Sequence, residues 1–221
     1  MLDIYRTIGL YSEILAAILA TVFYFKYKNT GFRYIIWVLW LIVLAELLGL
    51  FHAELGLYYE DEKGIKYNSF IFNILYFLVY PMLFLIYYKS LSTSNYKKII
   101  VLFFVLFLIV SIINWVFIQD ILTAWSKYPD VLGSLFLTIC IIFYFIELLQ
   151  SEKIIRFQRS VPFWINVGLL VYYTSTIPFT VVADSLKFGD ATQRKLYLIN
   201  YVLSIAMYVI FSFGFIWSKR D

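Results

Sequence analysis

Histidine and cysteine are nearly missing from this chain of 221 residues, which has one of each, His52 and Cys140. A single cysteine excludes an intrachain disulfide. In the apolar run LTICIIF, Cys140 reads as packing. One histidine and one cysteine cannot build a usual zinc site or bis-histidine haem ligation. The triplet HAE at 52–54 has the H-x-E form of a zinc deaminase, but the P-C-x-x-C partner is absent. Neither H-E-x-x-H, a nucleophile elbow, a P-loop nor a dinucleotide fingerprint occurs. The net charge of +4 is modest, and no basic patch interleaved with aromatics marks a nucleic-acid binder. The expectation is a protein that is not an enzyme and has neither metal nor cofactor.

What the chain has in excess is apolar surface. Hydrophobic residues make up 63% of it, aromatic residues 22%, and the mean hydropathy is +0.84. Soluble domains use roughly 45–50% apolar residues, so the remaining solvent is lipid. A spanning helix needs about 20 mostly apolar residues. Seven segments qualify, at about 7–25, 34–56, 68–88, 99–119, 131–150, 162–184 and 196–217. Each satisfies its backbone polar groups in lipid by being helical. The fourth, IIVLFFVLFLIVSIINWVF, is the clearest, and the first and sixth are the most polar. The opening MLDIYRTIGLYSEIL has no basic n-region and is interrupted by Asp3 and Glu13, so it is expected to be a retained span. Connections are short, with no low-complexity linker. The expected fold is all-α, a single integral-membrane domain over 1–221 made of seven transmembrane helices.

Lysine and arginine in the loops orient such a bundle. With the C-terminus inside, the cytoplasmic segments hold Lys26, Lys28, Arg33, Lys89, Lys97, Lys98, Lys153, Arg156, Arg159, Lys219 and Arg220. The outer segments hold the smaller remainder, Arg6, Lys63, Lys66, Lys127, Lys187, Arg194 and Lys195. The acids Glu60, Asp61, Glu62, Asp120, Asp130, Asp184 and Asp190 fall outside. An N-out, C-in arrangement follows. Trp37, Trp40, Trp164 and Trp217 then lie at the inner interface, and Trp115 and Trp125 at the outer one, where indoles are favoured. Seven helices with this orientation suggest a rhodopsin, but the seventh span has no lysine for a retinal Schiff base, and Lys195 precedes it.

Ionisable residues inside a membrane are costly and are functional candidates by default. Glu13, Glu46, Glu54 and Glu147 qualify by position. Glu147 sits at the inner end of the fifth span, where it can reach water. His52 and Glu54 lie near the outer end of the second span and within reach of the headgroups. Glu46 falls near the middle of that span, on a face with Gly49, Ala53 and Gly56. Small residues at this spacing permit close helix packing. His52 points about 120° away from Glu46, and Glu54 about 80° away and roughly 12 Å along the axis, so the three do not form one ligand set. For Glu46 a functional role and a buried structural hydrogen bond stand as equal readings. The outer halves of the spans collect most other polar groups, among them Asn73, Ser111, Asn114, Ser134, Thr138, Thr174, Ser175, Thr176, Asn200 and Tyr201. An outward-facing polar cavity gives this bias, and so does ordinary interhelical hydrogen bonding. Glu13, Glu46, His52, Glu54, Asn73, Thr174, Ser175 and Asn200 are the candidate ligand residues. Pro81 and Pro178 lie within the third and sixth spans and are candidate hinges.

The segment QRSVPFWINVGLLVYYTSTIPF, residues 158–179, resembles a stretch of small seven-helix inner-membrane proteins of Gram-negative bacteria. In those a P-x-FWI-x-x-G-x-x-x-Y type of pattern opens the sixth span. Pro162, Phe163, Trp164, Ile165, Gly168 and Tyr172 carry it here, without the residue between Pro162 and Phe163. That family is similar to the seven-helix sensor regions of histidine kinases. The resemblance implies a signalling context and supplies no catalytic residues. The leading expectation is a bacterial inner-membrane sensor or receptor-like accessory protein. It would bind a small ligand, a lipid or a partner helix in the outer half of the bundle and signal to a separate cytoplasmic partner such as a histidine kinase. Two alternatives stand beside it. One is a small-solute transporter or channel with Glu46 as a proton or cation site; the other is a non-catalytic membrane subunit of a larger complex.

Overall fold

A computed structural model of the chain describes residues 2–183 and 191–220. Among these residues the architecture is all-α apart from one small hairpin. The long helices are α1 (Leu2–Val22), α2 (Ile35–Leu50), α3 (Ser69–Ser90), α4 (Ser94–Ile113), α5 (Lys127–Leu149), α6 (Val161–Ala183) and α7 (Ala191–Trp217). The segments at 1, 184–190 and 221 lie outside the described residues, so the expected acids Asp184 and Asp190 and Lys187 do too. Among the described residues, six helices, α1 to α5 and α7, are long and apolar enough to cross a membrane.

Burial agrees with a lipid solvent. Ile18, Leu44, Leu78, Val105, Ile142 and Val209, one from each of six helices and far from their ends, all face outward. In water such a belt would be an aggregation surface. The helices form a closed ring. α1 lies between α2 and α7, α7 packs on α6, α6 on α5, α5 on α4, and α4 on α3, which returns to α2 and also touches α5. Small residues set the close approaches. A Cβ at Gly168 would stand 2.7 Å from Phe211, and one at Gly133 2.9 Å from the Tyr80 ring. Ala16, Ala17 and Ala20 are completely buried and let α1 approach its neighbours.

α2 stops earlier than its hydropathy predicts. The expected span runs to 56, but the helix ends at Leu50 and the chain turns through FHAELG. His52 Nδ1–H donates to the Gly49 carbonyl at 2.9 Å, and Asn68 Nδ2 donates to the same oxygen at 3.4 Å. These side chains satisfy a carbonyl that the next helical turn would have taken. Gly56 then adopts a left-handed φ of 66°, which favours glycine. The acidic loop beyond forms the hairpin β1 (Tyr59–Glu60) and β2 (Lys66–Tyr67), antiparallel with Tyr59 opposite Tyr67. The Asp61 carboxylate caps its turn by accepting from the Lys63 and Ile65 amides. Asp130, expected in an outer loop, instead lies in the first turn of α5, where a carboxylate suits the helix dipole.

α3 carries the polar contacts that hold the ring. Asn73, Tyr80 and Tyr87 follow each other at intervals of seven, so they share one face. Tyr80 Oη donates to Asp130 Oδ1 at 2.6 Å and stands 2.8 Å from Ser134 Oγ, joining α3 to α5. Tyr87 Oη donates to Asn166 Oδ1 at 2.7 Å, and Asn166 Nδ2 donates to the Pro162 carbonyl at 2.7 Å. That pair is fully buried and joins α3 to α6. Pro81 and Pro178 each lie inside an unbroken α-helix.

The end of the bundle that holds the C-terminus of α7 is closed by large side chains. Tyr27, Phe32, Phe84, Tyr87, Phe211 and Phe215 are all essentially inaccessible there. Lys26 is buried with them. Its Nζ donates to the Phe215 and Ile216 carbonyls at 2.7 and 2.9 Å and so caps the α7 C-terminus, where a cation is favoured. Burial pushes its ammonium below the ordinary lysine range. Glu147 accepts from the Ser92 and Thr93 amides at 2.8–3.1 Å and ties the α3–α4 connection to α5. It is a structural anchor.

Tyr87→Phe leaves Asn166 Oδ1 buried without its donor. The expected loss is about 1–2 kcal/mol of stability, read as a lower midpoint in a detergent-solubilised denaturation. Adding Asn166→Leu to that variant should recover part of the loss, because no polar group is then left unpaired. A wild-type midpoint in Tyr87→Phe would show that the bond contributes nothing.

Candidate functional site

At the opposite end of the bundle, the helices enclose a cavity of about 720 Å³. This is the end where α1 begins and where the α2–α3 and α4–α5 connections lie. Every long helix but α4 contributes to its wall, and the α4–α5 connection closes part of it with Gln119, Ala124 and Trp125. The volume falls in the range of about 300–1,000 Å³ usual for small-molecule sites.

The acidic part of the wall comes from three helices. Glu13 of α1, Glu46 of α2 and Asp130 of α5 all line the cavity. Their depths differ from the expected ones. Glu46 is one turn, roughly 6 Å, from the end of α2, because that helix stops at Leu50. The face expected to run Glu46–Gly49–Ala53–Gly56 is therefore cut short. Gly49 does pack, its missing Cβ leaving room for the Phe72 ring 2.6 Å away, while Ala53 and Gly56 are exposed beyond the helix. Glu13 is the carboxyl in mid-span, near the centre of the apolar stretch Ile4–Val22. Only 8% of it is exposed, and its Oε2 has no hydrogen-bond partner among the described residues. Tyr208 and Glu46 line the same space. Arg6, two turns up α1 and also in the wall, is the positive charge that acts on Glu46.

Tyrosines form the rest of the polar wall. Tyr76, Tyr172, Tyr173, Tyr197, Tyr201 and Tyr208 all line the cavity. Tyr172 shares the wall with Asp130, Glu13 and Glu46. Trp125 meets the Tyr76 ring edge-on at 5.0 Å. Its position is set by Asn73. The Asn73 amide donates to the Ile121 and Ala124 carbonyls at 2.8 Å each, and its oxygen accepts from the Ser126 amide at 2.9 Å. Trp115 Nε1 donates to Ser126 Oγ at 2.7 Å. Four bonds thus pin the α4–α5 connection over the end of α3.

The candidate residues separate accordingly. Glu13, Glu46 and Asn200 line the cavity. Asn73 stands behind its wall and positions Trp125. His52 caps α2, and Glu54 is exposed on the turn after it, both away from the lining. Thr174 is exposed and donates to the Leu170 carbonyl of its own helix, and neither it nor Ser175 lines the cavity. Sequence reasoning passed over Arg6, Tyr76, Trp125, Asp130, Tyr172 and Tyr208. The signal for the phenols was in the composition, since 20 of the 221 residues are tyrosine. Among the described residues no three histidine, cysteine or acidic side chains come together as a metal site. No protein-family model, curated protein or solved structure matches the chain.

Asn73→Ala removes three bonds to the connection that carries Trp125. Amide hydrogen exchange at Ala124 and Ser126 should then rise at least about tenfold, the equivalent of roughly 1.4 kcal/mol of lost protection. Unchanged exchange there would show that Asn73 does not hold the cavity wall.

Proposed function

We propose that this chain is a sensor or receptor-like accessory protein of a bacterial inner membrane. All seven helices cross the bilayer, the N-terminus is outside, and a small ligand binds in the cavity between Glu13, Glu46 and the tyrosines. The signal passes to a separate membrane or cytoplasmic partner such as a histidine kinase. The observation that carries this reading is the asymmetry of the interior. A cavity wide enough for a small molecule opens one end, and a layer of inaccessible aromatic side chains fills the other. Under the N-out orientation the cavity faces outward, which suits reception. Transport needs a polar route that reaches both sides, and the rings of Phe84, Tyr87, Phe211 and Phe215 stand across it. A ligand that prefers one arrangement of the ring would shift the helices by its differential affinity for that arrangement. The basic segments at the filled end would present that shift to the partner.

The orientation is tested by labelling intact cells with a membrane-impermeant maleimide. Cys140 is fully buried and silent. Glu62→Cys on the hairpin should label directly, and Lys97→Cys at the start of α4 only after permeabilisation. The reverse pattern would turn the bundle over and place the cavity inside. The signalling reading expects a histidine kinase or another signalling membrane protein to co-purify with the full chain. Solute flux in proteoliposomes that is lost in Glu46→Gln would instead establish transport.

A further inference from the structure

We infer that the cavity binds a small organic ammonium ion, with the cationic N–H group on Glu13 and the apolar body against the aromatic wall. This rests on the reading of the cavity as a ligand site and adds the chemical class of the ligand. Glu13 lines the cavity, and one of its carboxyl oxygens is buried without a donor among the described residues. A buried polar atom without a partner is expensive, and a ligand donor placed there removes that cost.

The charges select the sign. Glu46 lines the same space as Glu13. A bound cation favours the ionised form of both carboxyls, and a bound anion opposes it. Arg6 acts on Glu46 rather than on Glu13, and Lys127 Nζ donates to the Val181 carbonyl at 3.3 Å. Neither basic side chain takes the Glu13 position. The walls select an organic cation over an inorganic one. Among the described residues no third histidine, cysteine or acid joins Glu13 and Glu46 as a metal-ligand set. The faces and edges of Tyr76, Trp125, Tyr172 and Tyr208 line the space instead. Aromatic faces attract organic cations, and the attraction grows when the site is dry. A carboxylate at the floor and rings along the side match an ammonium with a hydrophobic body.

The test is isothermal titration of the full chain in lipid nanodiscs with four isosteric probes. Phenethylammonium and tryptammonium are the cations, phenethyl alcohol is the neutral probe and 3-phenylpropionate the anion. Saturable binding of at least one ammonium is expected, about tenfold or more tighter than the alcohol, with 3-phenylpropionate weaker still. Glu13→Gln should bring the ammonium down to the level of the alcohol, and Glu13→Asp should retain part of the difference. Equal binding of alcohol and ammonium, preference for the anion, or undiminished ammonium binding by Glu13→Gln overturns the ligand class while leaving the cavity a binding site. Absence of ammonium binding at millimolar concentration overturns it as well. If Glu13→Gln does not fold, the comparison of ammonium with alcohol on the unaltered chain decides.

Discussion

A polar side chain inside a bilayer has no water to turn to, so it must find its partner in the protein. α3 is built around that constraint. Asn73, Tyr80 and Tyr87 stand on one face, and each is bonded to a different part of the ring: the α4–α5 connection, α5 and α6. The apolar remainder of the ring has no comparable specificity, since lipid tails solvate leucine as well as another helix does. Directional bonds from one helix to three others fix which neighbours α3 has and at what height. The cavity inherits its shape from them, because Tyr76 lies between Asn73 and Tyr80 on the same helix and Trp125 hangs from the connection that Asn73 holds.

Two kinds of packing then divide the interior. At the filled end, glycine and large rings alternate across the contacts, with Gly168 under Phe211 and Gly214 under Trp164. Close approach and volume filling leave little room there, and Lys26 and Glu147 bind orphan backbone groups at the edge of the layer. At the other end the walls are tyrosine, acid and amide. These groups do not interdigitate into a dry core without burying unpaired oxygen, and Glu13 Oε2 is what such a compromise leaves behind.

The polar bias in the predicted outer halves was a real signal with a mixed origin. Ser111, Thr138 and Thr174 bond to the carbonyls of Phe107, Ser134 and Leu170, four residues back in their own helices. Hydroxyls can always do this in a helix, so their presence says nothing about a cavity. Glu13 and Asn200 cannot satisfy themselves so simply, and they line it. The same distinction explains His52. Hydropathy continues through FHAELG without a break, but a side chain that reaches back to the Gly49 carbonyl ends the helix, and only the position of Asn68, 19 residues on, completes the cap.

By itself the sequence determined the class of protein: apolar stretches of membrane-spanning length can only be helices in lipid, and the rough positions of the long helices were legible from hydropathy. It also restricted the chemistry, since one histidine and one cysteine exclude most metal and redox sites. Tertiary structure alone decided the depths and the partners. Stopping α2 at Leu50 moved Glu46 toward the end of the bundle and left Glu13 as the mid-span carboxyl. The ring order brought α1, α2, α5, α6 and α7 to one space. The reason is that helical periodicity reports which residues share a face, whereas what a face meets depends on crossings between helices distant in the chain, which no local pattern encodes.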